Sequence, residues 1–204
     1  MKNAKILILS VMVSFSLISC GCSAESNITD STAAPYTAGD IVLADGSVIP
    51  AKDFTDLDSS NLPAAVIAGQ TDDGTFLGVG VHRSDTPLQW EAEGAPDSPA
   101  FHFADTYAAV YGLTGEYSSS WHMPTIAELT LIYENSSTIN ASLQSIYKQN
   151  NLAAMNGLGT NWYWASTPSD TDDDYAWFIH FFNGYGDCCP KNFTNLHVLA
   201  VRGF

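Results

Sequence analysis

The chain has 204 residues, of which 46% are hydrophobic and 12% aromatic, enough apolar side chain for the core of one domain. Its formal net charge is −15, from 22 Asp and Glu against 7 Lys and Arg. This acidity argues against nucleic acid and anionic lipid surfaces as partners, because both repel a negatively charged protein.

The first residues, Met1–Ser19, are typical of a bacterial export signal. Two lysines precede the apolar run Ile6–Ile18, which is too short to span a bilayer. The sequence Leu-Ile-Ser-Cys at 17–20 resembles a lipobox, which implies acylation of Cys20, and a lipoprotein carries the several acyl chains that stable anchoring needs. The alternative is an ordinary signal peptide that is cut nearby, after Ala24.

Residues 20–35 are small and polar, so they cannot bury enough apolar surface to offset the entropy of ordering. We expect a flexible tether there and a folded domain over residues 36–204. Loss of the signal peptide leaves five Lys and Arg and a formal charge of −17. The predicted location is the bacterial cell surface or outer membrane, with a lipid anchor at Cys20.

The next segments read as strands joined by tight turns. Asp40–Pro50 predicts two short strands around an Ala-Asp-Gly turn. Ala64–Gly69 and Thr75–Val81 flank the sequence Thr-Asp-Asp-Gly, which predicts a second hairpin.

Three helices follow. Ser98 is the expected cap of the first, with Pro99 at its first position. Thr125 and Glu128 have the spacing of a capping box for the second, and the third is predicted over Thr138–Gln149. The predicted buried positions are Phe101, Ala104, Tyr107, Ala108 and Tyr111, then Ile126, Leu129, Ile132 and Tyr133, then Ile139, Leu143, Ile146 and Tyr147. From Trp162 onward no helical pattern remains, so strands, helices and strands follow one another without βαβ alternation, which predicts an α+β fold.

Several stretches resemble one known family. Trp121–Leu129 (WHMPTIAEL) resembles the Trp-Arg-Leu-Pro-Thr-x-x-Glu-Leu motif of the formylglycine-generating-enzyme type of C-type lectin fold. Leu77–Trp90, the Tyr-Trp-Ala-Ser-Thr run from Tyr163, the Tyr-Ala-Trp at 175–177 and Val198–Phe204 are similar to other parts of that family. Together they look most like the variable lipoproteins diversified by retroelements, of the Treponema variable protein type. The resemblance implies two or three helices with short antiparallel sheets, and His122 stands where the family usually has Arg.

The segment from Trp177 alternates like a strand. Period-two alternation assigns Trp177, Ile179 and Phe181 to one face and Phe178, His180 and Phe182 to the other. We expect the first face, with Trp121 and Trp164, to be core and the second to be exposed for binding. The alternative is a strand that is buried on both sides.

The resemblance implies a reason for the mixed composition of residues 178–197. In this family an error-prone reverse transcriptase replaces template adenines, commonly in Asn codons that end in a pyrimidine. Such codons cannot become Lys, Glu, Gln, Met or Trp, and none of these types occurs at the candidate positions. The predicted ligand-binding residues are Phe178, His180, Phe182, Asn183, Tyr185, Asp187, Cys188, Cys189, Asn192, Phe193, Asn195, Leu196 and His197; Gly186, Pro190 and Thr194 also qualify as variable positions. The remaining positions form the expected scaffold: Trp177, Ile179, Phe181, Gly184, Lys191 and 198–204.

Exposed aromatic and small polar side chains on a rigid frame are typical of adaptable binding surfaces. The predicted partner is therefore an unidentified protein or other surface ligand, bound by a monomer. A non-diversified surface lipoprotein or adhesin of the same fold is the main alternative.

An enzyme is the third possibility. A formylglycine-generating enzyme needs a pair of copper-binding cysteines, and Cys188 and Cys189, adjacent on an expected turn, do not match that arrangement. A vicinal disulfide between them would be strained. We expect no catalytic residue, no cofactor and no metal. The acidic run around Asp172–Asp174 lacks the EF-hand spacing and is better explained as a solvated loop than as a calcium site.

Overall fold

The computed structural model of the protein describes residues 35–54, 61–91, 98–149 and 157–204. The elements in these ranges are β1 (Ile41–Leu43), β2 (Val48–Ile49), β3 (Pro63–Gln70), β4 (Phe76–Arg83), α1 (Pro99–Val110), α2 (Ile126–Glu134), α3 (Ser136–Gln149), β5 (Trp162–Pro168), β6 (Tyr175–His180), β7 (Tyr185–Pro190) and β8 (Leu199–Gly203), with short 3₁₀ turns at Ala51–Asp53 and Gly115–Ser118. The predicted signal peptide, Cys20 and the tether up to residue 34 lie outside the described residues.

Two sheets form the frame of the domain. One has five strands in the order β2-β1-β3-β4-β8, and the other has three in the order β5-β6-β7. All of these strand pairs are antiparallel. Both hairpins predicted in the first half of the chain are present, and the α+β class with three helices is confirmed. The finer assignment to a C-type lectin fold stays a prediction.

Helices cover both faces of the five-stranded sheet. Val66 on β3 packs in a cluster with the buried residues of α2 and α3. Its neighbour Ile67 points the other way, into a cluster with the buried residues of α1. Successive side chains of a strand alternate between faces, and both faces of β3 are covered. The sequence of β3 is therefore a nearly continuous apolar run.

The start of α2 agrees with the sequence pattern. The Thr125 hydroxyl accepts a hydrogen bond from the Glu128 N–H at 3.2 Å, and the Glu128 carboxylate accepts one from the Thr125 N–H at 2.7 Å. These bonds satisfy N–H groups that a helix end otherwise leaves unpaired. The His122 Nε2 lies 3.0 Å from the other Glu128 oxygen, so His122 pairs with the capping carboxylate.

The start of α1 differs from its prediction in one respect. Pro99 occupies the first turn as expected, but the Ser98 side chain makes no capping hydrogen bond. The Ser98 hydroxyl instead donates to the Trp90 carbonyl. Ser98 therefore occupies the predicted N-cap position, but its hydroxyl binds the incoming 84–91 segment rather than the helix end.

The predicted core is largely present. Ile139, Leu143, Ile146 and Tyr147 on α3 are all buried, as are Trp121 and Trp164; Trp177 is half-buried against the core. No helix in the described part of the chain combines the length and the apolar character needed to cross a bilayer.

Candidate ligand-binding surface

The candidate residues are concentrated on the β6–β7 hairpin and on the segment that follows it. Strand β6 starts at Tyr175 and ends at His180, slightly earlier than the predicted Trp177–Phe182. In the pairing with β7, Phe178 lies opposite Asp187 and His180 opposite Tyr185. On the other edge of β6, Trp162 of β5 lies opposite His180. Side chains of directly opposite residues share a face, so Trp162, His180 and Tyr185 form one row across the three strands.

The thirteen candidates divide by exposure. Seven of them are exposed: Phe182, Asn183, Tyr185, Asp187, Asn192, Phe193 and Asn195. Four are half-buried: His180, Cys188, Cys189 and His197. The remaining two, Phe178 and Leu196, are buried at 3% and 0% exposure. The sequence analysis therefore identified a largely exposed segment, but it assigned two core residues to the binding surface.

The expected exposure of Phe178 is wrong, because β6 is the central strand of its sheet and is covered on both faces. The Trp162 ring stacks on the Phe178 ring, with centroids 4.9 Å apart and planes at 16°. The Tyr185 ring approaches at 6.3 Å. Phe178 belongs to the same core cluster as Trp164. The middle of β6 thus follows the alternative of a strand buried on both sides, and Phe178 packs beneath the Trp162 and Tyr185 rings.

The expected exposure of Leu196 is also wrong. Its carbonyl accepts a hydrogen bond from the Leu88 N–H at 2.8 Å, and its side chain packs in the core. The next residue, His197, forms a parallel bridge with Tyr163 at the free edge of β5. Leu196 therefore belongs to the returning chain that extends the sheet, a role that its composition alone does not reveal.

The exposed rings of Trp162, Phe182 and Tyr185, together with the half-buried ring of His180, form a surface that we call the aromatic face. Trp162 and His180 have ring centroids 4.8 Å apart, and His180 and Phe182 have centroids 6.0 Å apart. Phe182 is 72% exposed and Tyr185 52%. Contiguous exposed aromatic surface is unusual for a monomeric domain and marks an interaction site.

Trp162 is a site residue that the sequence reading missed. It is 37% exposed and lies before the variable segment, on a strand that pairs with β6. Period-two spacing places Trp162 on the same face of β5 as Trp164, which is predicted to be core, so the sequence carries no signal that the Trp162 ring is exposed.

A carboxylate borders the aromatic face. The Tyr185 hydroxyl donates to one Asp187 oxygen, and the Cys188 N–H donates to the other at 2.8 Å. These bonds stabilise the ionised form, so they lower the pKa of Asp187 and the carboxylate raises the pKa of Tyr185. Asp187 is therefore an exposed anionic acceptor beside the rings.

The second part of the surface is the segment 191–197. Gln89 Nε2 donates to the Asn192 carbonyl at 2.8 Å, so the backbone is held while the side chains of Asn192, Phe193 and Asn195 stay exposed. His197 is half-buried, its Nδ1 2.8 Å from Arg83 Nη1. Burial, and the adjacent Arg83 charge, lower the pKa of His197, so the neutral ring is favoured at neutral pH.

Two of the predicted scaffold residues, Gly184 and Lys191, have clear structural reasons to be fixed. Gly184 has a φ of 73°, and a Cβ there would lie 2.5 Å from the Tyr133 ring. By contrast, Gly186, counted among the variable positions, has room, since its nearest neighbour would be 3.5 Å away. The Lys191 ammonium lies 4.6 Å from the Trp90 ring centroid and 3.6 Å from Glu91.

The adjacent cysteines lie on β7, not on a turn as predicted. Both thiols are free and half-buried. Neighbouring residues of a strand point to opposite faces, so the two thiols diverge. Burial raises the pKa of the Cys189 thiol to about 12, which keeps it protonated and unreactive.

Two cavities among the described residues lie away from the candidate surface. One cavity of about 530 Å³ lies between α2 and the β3–β4 turn, and another of about 260 Å³ lies beside α1 and α3. Neither is lined by any of the thirteen candidates. No group of three or more His, Cys, Asp or Glu within the described ranges is arranged to hold a metal ion.

Comparison with known proteins supplies the family. The family model of the Lcl C-terminal domain matches residues 80–202, which include α1–α3, the three-stranded sheet and the whole candidate segment. The chain belongs to the Lcl C-terminal domain family. No curated protein matches the chain.

One solved structure shares the fold of this Lcl-family chain. It is a fimbrial protein from Bacteroides ovatus ATCC 8483, with a TM-score of 0.52 and 14% identity. The match covers 83% of this chain and 49% of that one, so the likeness extends over about half the length of the fimbrial protein. At this identity the likeness concerns the fold alone.

Proposed function

We propose that this Lcl-family protein is a surface-displayed bacterial lipoprotein whose C-terminal side chains form a diversified ligand-binding face on a C-type lectin scaffold. The observation that carries the proposal is that, within residues 178–197, most candidate side chains are exposed, whereas the scaffold residues between them are buried or half-buried. Eleven of the thirteen candidates, all of types that template mutation can produce, are exposed or half-buried, and the other two, Phe178 and Leu196, belong to the core. At two positions that the pattern assigns to the scaffold, the Tyr133 ring leaves no room for a Cβ on Gly184, and the Lys191 ammonium lies over the Trp90 ring.

The aromatic face provides the contact surface in this proposal. Phe182 and Tyr185 offer large apolar areas with few rotatable bonds, which keeps the entropy cost of binding low. Asn183, Asp187, Asn192 and Asn195 supply adaptable polar groups around them. The Lcl C-terminal domain match over residues 80–202 supports the family part of the proposal.

Membrane attachment, by acylation of Cys20, belongs to the same proposal and depends on the sequence alone. Metabolic labelling with a palmitate analogue tests it: Cys20→Ser should abolish the label, and Cys22→Ser should not. Equal labelling of both variants would contradict the lipobox.

We further propose that the protein binds rather than catalyses and acts as a monomer without a cofactor. The diverging thiols of Cys188 and Cys189 support this, because a copper-binding cysteine pair must converge on one ion. A copper titration followed by thiol-dependent absorbance should give no stoichiometric binding.

A non-diversified surface protein is the second candidate. The likeness to a fimbrial protein concerns the fold alone and is compatible with both candidates. The two candidates predict different DNA. Diversification predicts a near-identical repeat beside the gene that differs at adenines, near a reverse transcriptase, and an invariant 178–197 segment across many isolates would favour the fixed protein.

The binding test uses the purified protein and a pull-down from neighbouring-cell surface extracts. Phe182→Ala with Tyr185→Ala removes the two most exposed rings and should abolish capture without a large change in unfolding temperature. Val110→Ala, which alters an exposed apolar residue on α1, is the control and should capture normally. Normal capture by the double variant would reject the aromatic face as the site.

A further inference from the structure

We infer that the aromatic face and Asp187 together form a site for cationic side chains, so that the partner is a protein segment carrying Arg or Lys beside apolar residues. This inference rests on the proposed function and names the chemistry of its ligand. It also assigns a recognition role to Trp162, which lies outside the variable segment.

Trp162 is the fixed part of this site. Its indole stacks on the buried Phe178 and lies 4.8 Å from the His180 ring, and more than a third of the residue stays exposed. The exposed part of the indole offers an aromatic surface to an approaching cation, and Trp is the strongest aromatic partner for cations. Because Trp162 lies outside residues 178–197, it would be shared by every variant of that segment.

The charged group beside the rings is negative, as a cationic ligand requires. The Asp187 carboxylate lies beside Tyr185 and already accepts two hydrogen bonds, which favour its charged form. In the described part of the chain it forms no ion pair with Lys or Arg. The cationic residues nearest in sequence are engaged elsewhere: Lys191 with Trp90 and Glu91, and Arg202 with Tyr117. The rings and the carboxylate therefore offer a cation two kinds of contact in one place.

The shape and the net charge favour a protein partner. The most exposed rings, Phe182 at 72% and Tyr185 at 52%, suit a partner that brings its own surface. A formal charge of −15 attracts basic protein surfaces over a long range. Neutral carbohydrate would use the rings but would gain nothing from the charge.

The test uses immobilised peptides with Arg-Phe repeats in a Gly-Ser linker and matched peptides in which citrulline, the neutral isostere, replaces Arg. The purified protein should bind the Arg peptide roughly three- to tenfold more tightly, the range expected of an exposed cation–π contact plus one ion pair. Raising the salt concentration to about 1 M, where the Debye length is about 3 Å, should remove most of that preference.

Three variants locate the effect. Asp187→Asn removes the charge, can still accept from the Cys188 N–H, and would donate to the Tyr185 hydroxyl instead of accepting from it, so it should reduce the preference. Asp105→Asn removes an exposed charge on α1 and should leave the preference intact. Trp162→Leu keeps Phe178 covered but removes the π-face, and should reduce the preference as well. The unfolding temperature of each variant checks that it still folds.

Equal retention of both peptides, including no retention of either, overturns the cationic-ligand inference. Retention of a neutral glycan such as mannan that is lost in Trp162→Leu but not in Asp187→Asn overturns it in favour of carbohydrate. In either case, capture that still depends on Phe182 and Tyr185 would leave the proposed function standing. Loss of that dependence would reject the proposed function itself.

Discussion

Strands β6 and β7 are paired along their whole length, yet their side chains have different environments. Ala176, Phe178 and Ile179 of β6 are buried, whereas no residue of β7 is. β6 lies between β5 and β7 and contacts core residues on both faces, whereas β7 is an edge of the described sheet. Edge position alone does not decide exposure, because Tyr163, Trp164 and Ala165 of the other edge strand, β5, are buried. What distinguishes β7 is that none of its side chains is fully covered, so β7 and the segments beside it have room for different side chains.

The largest effect that tests this contrast is expected at Phe178. Phe178→Ala should lower the free energy of unfolding by about 3–5 kcal/mol, because it leaves a cavity below Trp162 and Tyr185. Phe182→Ala should change it by less than about 0.5 kcal/mol, since Phe182 is mostly exposed. Urea denaturation of both variants measures the difference. Similar losses in the two variants would show that the contrast between the strands is wrong.

The two glycines of the hairpin give the next largest contrast. Gly184→Ala should cost about 1–2 kcal/mol from the positive φ alone, and the contact with the Tyr133 ring adds to that. Gly186→Ala should be tolerated, because a Cβ there makes only ordinary contacts. Thermal unfolding of both variants is the measurement. A Gly184→Ala protein as stable as Gly186→Ala would remove the reason for keeping Gly184 fixed.

A smaller effect is expected at Lys191. Lys191→Met keeps the apolar stem but removes the ammonium from the Trp90 ring and from Glu91, which should cost about 0.5–1 kcal/mol. Lys148→Met, on the exposed surface of α3, is the matched control and should be close to neutral. If both variants lose the same stability in urea, Lys191 does not hold the variable segment.

The smallest effect is a dependence of stability on pH at His122. The hydrogen bond to Glu128 raises the pKa of His122 above its ordinary value of 6.5. The stabilisation is therefore fully present below that value and is lost as the pH rises through the folded-state pKa. Between about pH 6 and pH 8, unfolding temperature should fall more in the parent protein than in His122→Gln. Parallel pH curves would show that the pair adds no pH-dependent stability.

Local patterns explain why much of the fold was predictable. The capping box of Thr125 and Glu128 and the stripe of α3 depend only on residues within one turn or one helix, so the sequence displays them directly. The hairpin turns with Gly46 and Gly74 are similarly local. Strand boundaries were close for the same reason.

The errors arose where burial depends on distant parts of the chain. Phe178 is buried because Trp162, sixteen residues earlier, stacks on it. Leu196 is buried where the backbone N–H of Leu88 donates to its carbonyl. Period-two alternation distinguishes the faces of a strand but does not show whether both are covered. The composition of the variable segment likewise gave no indication that Cys188 and Cys189 lie on a strand.

The most direct test of the division between scaffold and variable positions is saturation substitution of residues 178–197, scored by protease resistance of the displayed full chain. The expected result is broad tolerance at the exposed candidates, such as Phe182, Tyr185 and Asn195, and intolerance at Phe178, Gly184 and Leu196. Tolerance at Phe178 equal to that at Phe182, or intolerance throughout the segment, would contradict the account.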